Sequence, residues 1–313
     1  MLIDGREIAS EIINTLKKKV INQKIKGQSP HLAVILVGND LGSTAYVRAK
    51  KSLGKEVGIK VSIYPHQIAN NEKMINDLNH LSLDKKQLVE LVSRLNKDPS
   101  VHGIIIQRPL PIDITKEELD LLVVPKKDVD GFHPQTRFDP PITKAVERIL
   151  FWVYRNETNK LEHWSIGDLE HFYRWLCNKP ILVIGRGETA GKPIAKYLLK
   201  KGAQVTIAHS KTENLTELCQ MSNIIISCVG KRTILRSTEG SRNNGAWIVR
   251  HQMITNKTVL IGVGLHSEDG KLNTDYNSED IKNIVAYYTP VPGGVGPVNV
   301  ACLMENVVSA ASN

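Results

Sequence analysis

Short, wholly apolar runs alternate along this chain with longer stretches whose apolar residues recur every three or four positions. Ile8, Ile12, Ile13, Leu16 and Val20 share one helical face, in a first helix expected to end near Gly27. The next run, HLAVILVG (31–38), is continuous and closed by a glycine, as in a buried parallel strand. The alternation goes on with a helix within Ser43 to Ile59, a strand in KVSIYPH, a helix over Leu83 to Asn96 and a strand in VHGIIIQ (101–107). Strand and helix in turn predict a mostly parallel sheet with helices on its faces. In such sheets ligands sit beyond the carboxyl ends of the strands.

The second half repeats the pattern. Thr143 to Tyr154 is expected to be a helix linking two halves. Asn156 to Asn178 begins polar and then carries aromatic residues at helical spacing, either as an extra helix capping a surface or as a partner-contact element. From Lys179 to Thr212 the order is strand, glycine turn, helix and strand, with Gly185, Gly187 and Gly191 spelling G-x-G-x-x-x-G. That βαβ setting is what gives a glycine pattern meaning. SNIIISCVG and KTVLIGVG continue the parallel sheet, with a polar, loop-forming insertion, RSTEGSRNNGAWIVRHQ (236–252), between them. TPVPGGVGPVNV (289–300) holds three prolines and three glycines; it reads as a stiff loop whose backbone can approach a ligand, followed by a closing helix from Val300 to Ala310.

Length and composition narrow the class. A chain of 313 residues exceeds the usual size of a single core and predicts two domains. The formal charge of +9 comes from dispersed lysines, such as Lys17 to Lys19 and the pair Lys200 and Lys201, so no nucleic-acid partner is expected. Cys177, Cys219, Cys228 and Cys302 lack C-x-x-C spacing, which predicts neither a metal site nor a disulfide framework. No apolar run approaches bilayer length, and MLIDGREIAS has charges where a secretory signal needs an apolar core. A cytoplasmic protein without membrane contact is expected.

Candidate chemistry gathers at the strand ends. Tyr46 and Lys50 lie four residues apart on one helix, so a ring and an amine leave the same face. Gln107 stands where the third strand leaves its sheet, ahead of the stiff Pro109-Leu110-Pro111 run. Asp128 and Asp130 share the loop PKKDVDGFHP, which suits either a tight turn or a binding role. In the βαβ unit a pyrophosphate can lie against the helix that starts near Gly191. The second strand ends at His209, Ser210, Lys211 and Thr212 without the acidic residue that suits NAD; Arg186, Ser210 and Lys211 suit a ribose phosphate, so NADP is expected over NAD. Asp275, in KLNTDY, has no local feature marking it as a site residue.

Taken in order, YVRAKKSLGKEVGI, GIIIQRPLP, KDVDGFHP, VIGRGETAGKP, AHSKT and TPVPGGVGP resemble the bifunctional methylenetetrahydrofolate dehydrogenase/cyclohydrolases of FolD type, from about Asp4 to Val308. The resemblance implies an α/β fold of two domains, with a folate-binding domain (1–140 with 298–313), a Rossmann-like NADP domain (141–297), a folate cleft between them, and a homodimer. It implies that Tyr46 stacks on the folate ring system, Lys50 is the central acid/base group, Gln107 holds and tunes it, and Asp130 hydrogen-bonds the pterin. Asp128 is expected to be structural. Pro292, Gly293 and Gly294 would approach the substrate, and Gly185, Arg186, Gly187, Gly191, Ser210 and Lys211 the cofactor. The chain departs from the usual family residues around Pro140 to Ala145, at Gly187, at Gly262 and at Arg108, which replaces a common leucine. Most departures lie on the cofactor side. Two alternatives therefore stand beside an NADP-dependent dehydrogenase that also hydrolyses its methenyl product: a cyclohydrolase that has lost hydride transfer, and a catalytically silent dimeric interaction protein.

Overall fold

The computed structural model describes residues 1–38, 40–64, 83–158, 166–230, 248–268 and 271–312. In chain order the elements are α1 (Gly5–Ile25), β1 (His31–Ile35), α2 (Leu41–Val57), β2 (Lys60–Tyr64), α3 (Lys85–Lys97), β3 (Gly103–Ile106), α4 (Lys116–Leu122), α5 (Pro141–Glu157) and α6 (Ile166–Cys177). There follow β4 (Ile181–Ile184), α7 (Gly191–Lys200), β5 (Val205–Ala208), α8 (Leu215–Met221), β6 (Ile224–Ser227), β7 (Val259–Gly262), β8 (His266–Glu268), β9 (Lys271–Asn273), α9 (Ser278–Ile281), β10 (Tyr287–Tyr288) and α10 (Val295–Ala310). The chain divides into two compact units, one of Ala9–Lys144 with Asn299–Asn313 and the other of Met1–Ile8 with Ala145–Val298.

The first unit holds a parallel sheet in the order β2-β1-β3. Successive connections leave β1 in opposite directions, so a crevice opens at the carboxyl ends of β1 and β3. One face of this sheet is closed by Leu88, Leu91, Val92 and Leu95 of α3 with Ile35, Ile104 and Ile106. Local signals set the helix bounds. The Asp40 carboxylate accepts from the Ser43 N–H at 2.7 Å and α2 ends at Gly58, whose φ of 82° is left-handed. Capping boxes start α3 at Asp84 with Gln87 and α4 at Thr115 with Glu118. Asn306 of α10 donates to the carbonyls of Val129 and Asp139 at 2.9 and 3.0 Å, tying the loop that carries Asp128 and Asp130 to that helix.

The second unit holds a five-stranded parallel sheet in the order β10-β7-β6-β4-β5. Its topological switch lies between β4 and β6. α6 is a working part of this unit: Phe172 is fully buried and meets Phe151 of α5 edge-on at 5.2 Å, while the Tyr173 hydroxyl donates to Glu147 at 2.6 Å. This packing on α5 fits the capping role expected of the stretch. Residues 159–165 of it, and 236–247 of the expected insertion at 236–252, lie outside the described residues.

Three expectations change. The stretch from Thr289 to Val300 is not loop throughout, because α10 begins at Val295 and takes in Gly296 and Pro297. Proline is tolerated there since the first helical turn has no use for its missing N–H. The short α4 was not foreseen in KEELDLL, although Thr115 and Glu118 spell its capping box. Met1–Ile8 cluster with the five-stranded unit, where Leu2 bridges Tyr288 and the Gly5 N–H donates to the Gly293 carbonyl at 2.8 Å.

Candidate active site

The crevice of the three-stranded unit is furnished by residues that its backbone places at one end of the sheet. Gln107 follows β3 directly and its N–H still donates to the Ile35 carbonyl of β1 at 2.8 Å. α2 begins after the loop that follows β1, so Tyr46 and Lys50 lie on the helix that starts at this same end. The Lys50 amine is buried, 7% exposed as a residue, and donates to Gln107 Oε1 at 2.7 Å. The Gln107 amide nitrogen donates to the Arg108 carbonyl at 3.2 Å, which fixes the orientation that presents Oε1 to the lysine. Tyr46 is half-buried, and burial raises its hydroxyl pKa.

Lys50 and Asp130 are electrostatic partners. Burial lowers the pKa of Lys50, while the Asp130 charge works against that shift. Burial raises the pKa of Asp130, while Lys50 and then Arg108 oppose that shift. Each group favours the ionised form of the other and its surroundings favour neutral forms of both, so a proton is held loosely at this site. The Lys50 amine therefore gives up its proton more readily than a solvated lysine does.

Asp128 does something different. It accepts from the N–H groups of Gly131 and His133 at 3.2 and 2.7 Å, and its own carbonyl accepts from the Thr136 hydroxyl at 3.0 Å. It therefore builds the turn on which Asp130 stands, as expected of a structural aspartate. Gly131 is required in that turn: its φ is 81° and a Cβ would come within 2.7 Å of the Pro140 nitrogen.

In the five-stranded unit the glycines of the βα turn have separate reasons. Gly185 has φ 102° and a Cβ there would reach 2.9 Å from the Cys228 carbonyl, across the switch between β4 and β6. A Cβ on Gly191 would meet the Gly185 carbonyl at 2.0 Å. Gly187 has nothing within 4 Å of a built Cβ and is exposed. α7 begins after Ala190 with no side-chain cap; instead the Lys192 N–H donates to the Gly187 carbonyl at 3.0 Å, closing the glycine turn onto the helix start. A tight turn at a helix N-terminus and the exposed Arg186, Ser210 and Lys211 fit a dinucleotide phosphate. Next to it, Asp275 accepts from the Ser227 hydroxyl at 2.6 Å and from the N–H groups of Val229 and Gly230 at 2.9 and 2.8 Å, so it shapes the chain leaving β6. That structural role was missed, because its partners lie more than forty residues away.

One departure from the family pattern, at Gly262, has a local explanation. A Cβ on Gly262 would lie 2.3 Å from the Thr274 hydroxyl and 2.9 Å from that of Tyr276, whose buried ring has taken the room a larger residue would need. Tyr276 donates to the Thr289 carbonyl at 2.6 Å. Gly293 and Gly294 pack against the start of the chain: a Cβ on Gly293 would strike the Arg6 guanidinium at 2.8 Å, and one on Gly5 the Gly294 carbonyl at 1.8 Å. Pro292, Gly293 and Gly294 thus belong to the five-stranded unit, whereas Tyr46, Lys50, Gln107 and Asp130 come together in the other.

The molecule is by its architecture an α/β protein with a Rossmann-like unit and a second unit holding a buried lysine at a sheet switch point. Residues 3–130 match the family description "Tetrahydrofolate dehydrogenase/cyclohydrolase, catalytic domain" and residues 168–313 match "Tetrahydrofolate dehydrogenase/cyclohydrolase, NAD(P)-binding domain". The chain belongs to the tetrahydrofolate dehydrogenase/cyclohydrolase family. It is 36% identical over 310 residues to the Bifunctional protein FolD of Lactobacillus acidophilus, with 98% of this chain and 95% of that protein covered. Among solved structures it resembles the bifunctional methylenetetrahydrofolate dehydrogenase/cyclohydrolase FolD of Campylobacter jejuni, with TM-score 0.78, 31% identity and coverage of 100% and 99% of the two chains. The Trypanosoma brucei enzyme, solved with NADP and an inhibitor, aligns with TM-score 0.75 at 27% identity, covering 100% of this chain and 97% of that one.

Asp128 offers a direct test of the turn. Burial, aided by the Asp130 charge and opposed by the backbone N–H groups, raises its carboxyl from 3.8 to about 6. The fold therefore keeps this proton over a range where the unfolded chain has released it, so the stability Asp128 contributes is full below pH ~4 and is lost as pH rises to about 6. Asp128→Asn should remove a pH-dependent part of the unfolding free energy on the order of 2 to 3 kcal/mol across that window. Urea unfolding of both proteins from about pH 4 to 7 checks this, and parallel pH profiles would contradict it.

Proposed function

We propose that the chain oxidises methylenetetrahydrofolate to methenyltetrahydrofolate with NADP and hydrolyses that product to 10-formyltetrahydrofolate. The observation that carries this reading is the buried Lys50, hydrogen-bonded to Gln107 at 2.7 Å and in the field of Asp130, in a member of this family. Tyr46 supplies a ring face one helical turn from the amine, for stacking on the folate ring system. Asp130 supplies an anionic acceptor for pterin N–H groups.

When bound, NADP supplies the hydride acceptor for oxidation of the one-carbon bridge, and the protein supplies binding and orientation. Gly185, Gly187 and Gly191 leave room for its pyrophosphate, and Arg186, Ser210 and Lys211 provide charge and hydrogen bonds for its ribose phosphate.

The hydrolytic step is where Lys50 acts. Water adds to the cationic methenyl carbon, forming a C–O bond and giving a proton to the neutral Lys50 amine. The bond from that carbon to the pterin ring nitrogen then breaks, the nitrogen takes a proton back, and the second proton of the water is released with the formyl product. Burial favours the neutral amine that the first transfer needs, and Gln107 and Asp130 stabilise the ammonium that it creates. A homodimer, as the resemblance implies, and a cytoplasmic location, as the N-terminal sequence suggests, complete the proposal.

The purified protein with methylenetetrahydrofolate and NADP should form NADPH and then consume the methenyl product. Lys50→Met should fold, bind folate and lose hydrolysis by at least about a hundredfold; a variant that keeps full hydrolysis would contradict the role of Lys50, and wild-type protein that consumes methenyl substrate without forming NADPH would leave a cyclohydrolase alone. On the cofactor side, Arg186→Ala should raise the KM for NADP by about tenfold or more and leave that for NAD nearly unchanged. Equal losses with both dinucleotides would place Arg186 elsewhere.

A further inference from the structure

Arg108 is the residue at this site that the family pattern does not supply, and its surroundings are unusually complete. It follows Gln107 at the carboxyl end of β3. Its guanidinium carbon lies 4.0 Å from the centre of the Phe132 ring and its terminal nitrogen pairs with Asp120 of α4. The two side chains of that pair are 9% and 7% exposed. Asp120 also takes Lys116, from the first turn of α4, whose start is set by the Thr115 and Glu118 capping box. Arg108, Asp120, Phe132 and Asp130 line one small cavity. The guanidinium is therefore fixed on two sides, in a plane by the ring and in direction by the carboxylate.

The charges around Asp130 come from three places. Lys50 acts on it electrostatically from α2, Arg108 does so from the end of β3 across the cavity they share, and Asp128 lies two residues away on its own loop. Lys116 and Asp120 of α4 act on Arg108 from its other side. In the proposed hydrolysis the Lys50 charge is transient, present after proton uptake and absent before. A buried carboxylate that relied on Lys50 alone would be driven to take up a proton whenever the lysine was neutral. A guanidinium keeps its charge throughout.

Resting on the folate reading above, we propose that Arg108 is a positioning residue for this reaction. Held between Phe132 and Asp120, it is a permanent second cation that keeps Asp130 ionised, and so able to accept from the pterin, whichever protonation state Lys50 occupies. Asp120 sets the strength of that field by partly neutralising Arg108. Arg108→Leu removes the cation, Arg108→Lys restores charge without the planar fork, and Asp120→Asn releases the full Arg108 charge onto Asp130.

The test uses the full chain and reads kcat/KM for methenyltetrahydrofolate hydrolysis against pH, together with the pH dependence of tetrahydrofolate binding by calorimetry. Arg108→Leu should move the acid limb of both curves up by about one pH unit. Arg108→Lys should restore at least half of that shift, and Asp120→Asn should move the limb the opposite way. Curves for Arg108→Leu that overlay wild type, or shifts in one direction for all three variants, would overturn the proposal. Should Arg108→Leu not fold, Asp120→Asn decides: an acid limb below that of wild type supports the proposal, and one at or above it overturns it. Wild-type protein that binds tetrahydrofolate but does not hydrolyse the methenyl form would count against the functional reading, and the calorimetric curves would then decide the role of Arg108.

Discussion

A lysine amine withdrawn from water at the switch point of a three-stranded sheet is the constraint to which the rest of this site answers. Taking an ammonium out of water is costly, and leaving it without a partner costs several kcal/mol more. Here the 2.7 Å hydrogen bond to Gln107 and the field of Asp130 offset part of that cost, yet burial still dominates and the amine gives up its proton more readily than an exposed lysine would. Each supporting feature serves that balance. The amide of Gln107 is oriented by the Arg108 carbonyl, and the turn bearing Asp130 is built by Asp128 and tied to α10 through Asn306.

The five-stranded unit solves a different problem, that of clearing space. Its glycines at 185 and 191 are dictated by backbone approaching within the radius of a methyl group, whereas Gly187 has open room around it. The glycine at 262 is matched by a tyrosine that fills the space from another part of the chain. A change that looks like the loss of a functional group in the linear sequence is here a repacking of a buried polar cluster, with Thr274, Tyr276 and Thr289 in place of one side chain.

Local signals explain how much could be read in advance. Apolar runs marked β1, β3, β4, β6 and β7, and the four-residue spacing of Tyr46 and Lys50 put both on α2. Gln107 was legible because a polar residue closed a strand and was followed by a stiff run. Two failures, at Asp275 and Arg108, share a cause, which is dependence on distant partners. Asp275 acts on residues 45 to 48 positions away, and Arg108 gains meaning only once Asp120 and Phe132 stand beside it. Pro297 was misread for the opposite reason: proline and glycine density suggested loop, although a first helical turn accepts both.

The account stands on the acidity of one amine. In protein labelled with 13C at the lysine side chains, and with the signal identified by its absence in Lys50→Met, the Lys50 resonance can be followed through a pH titration. The midpoint is expected below the ordinary value of 10.5, and Gln107→Leu, which removes the acceptor for the ammonium, should move it lower still. A Lys50 that titrates at or above 10.5 would mean that its charge is fully stabilised in the fold, and proton transfer by this residue would have to be abandoned.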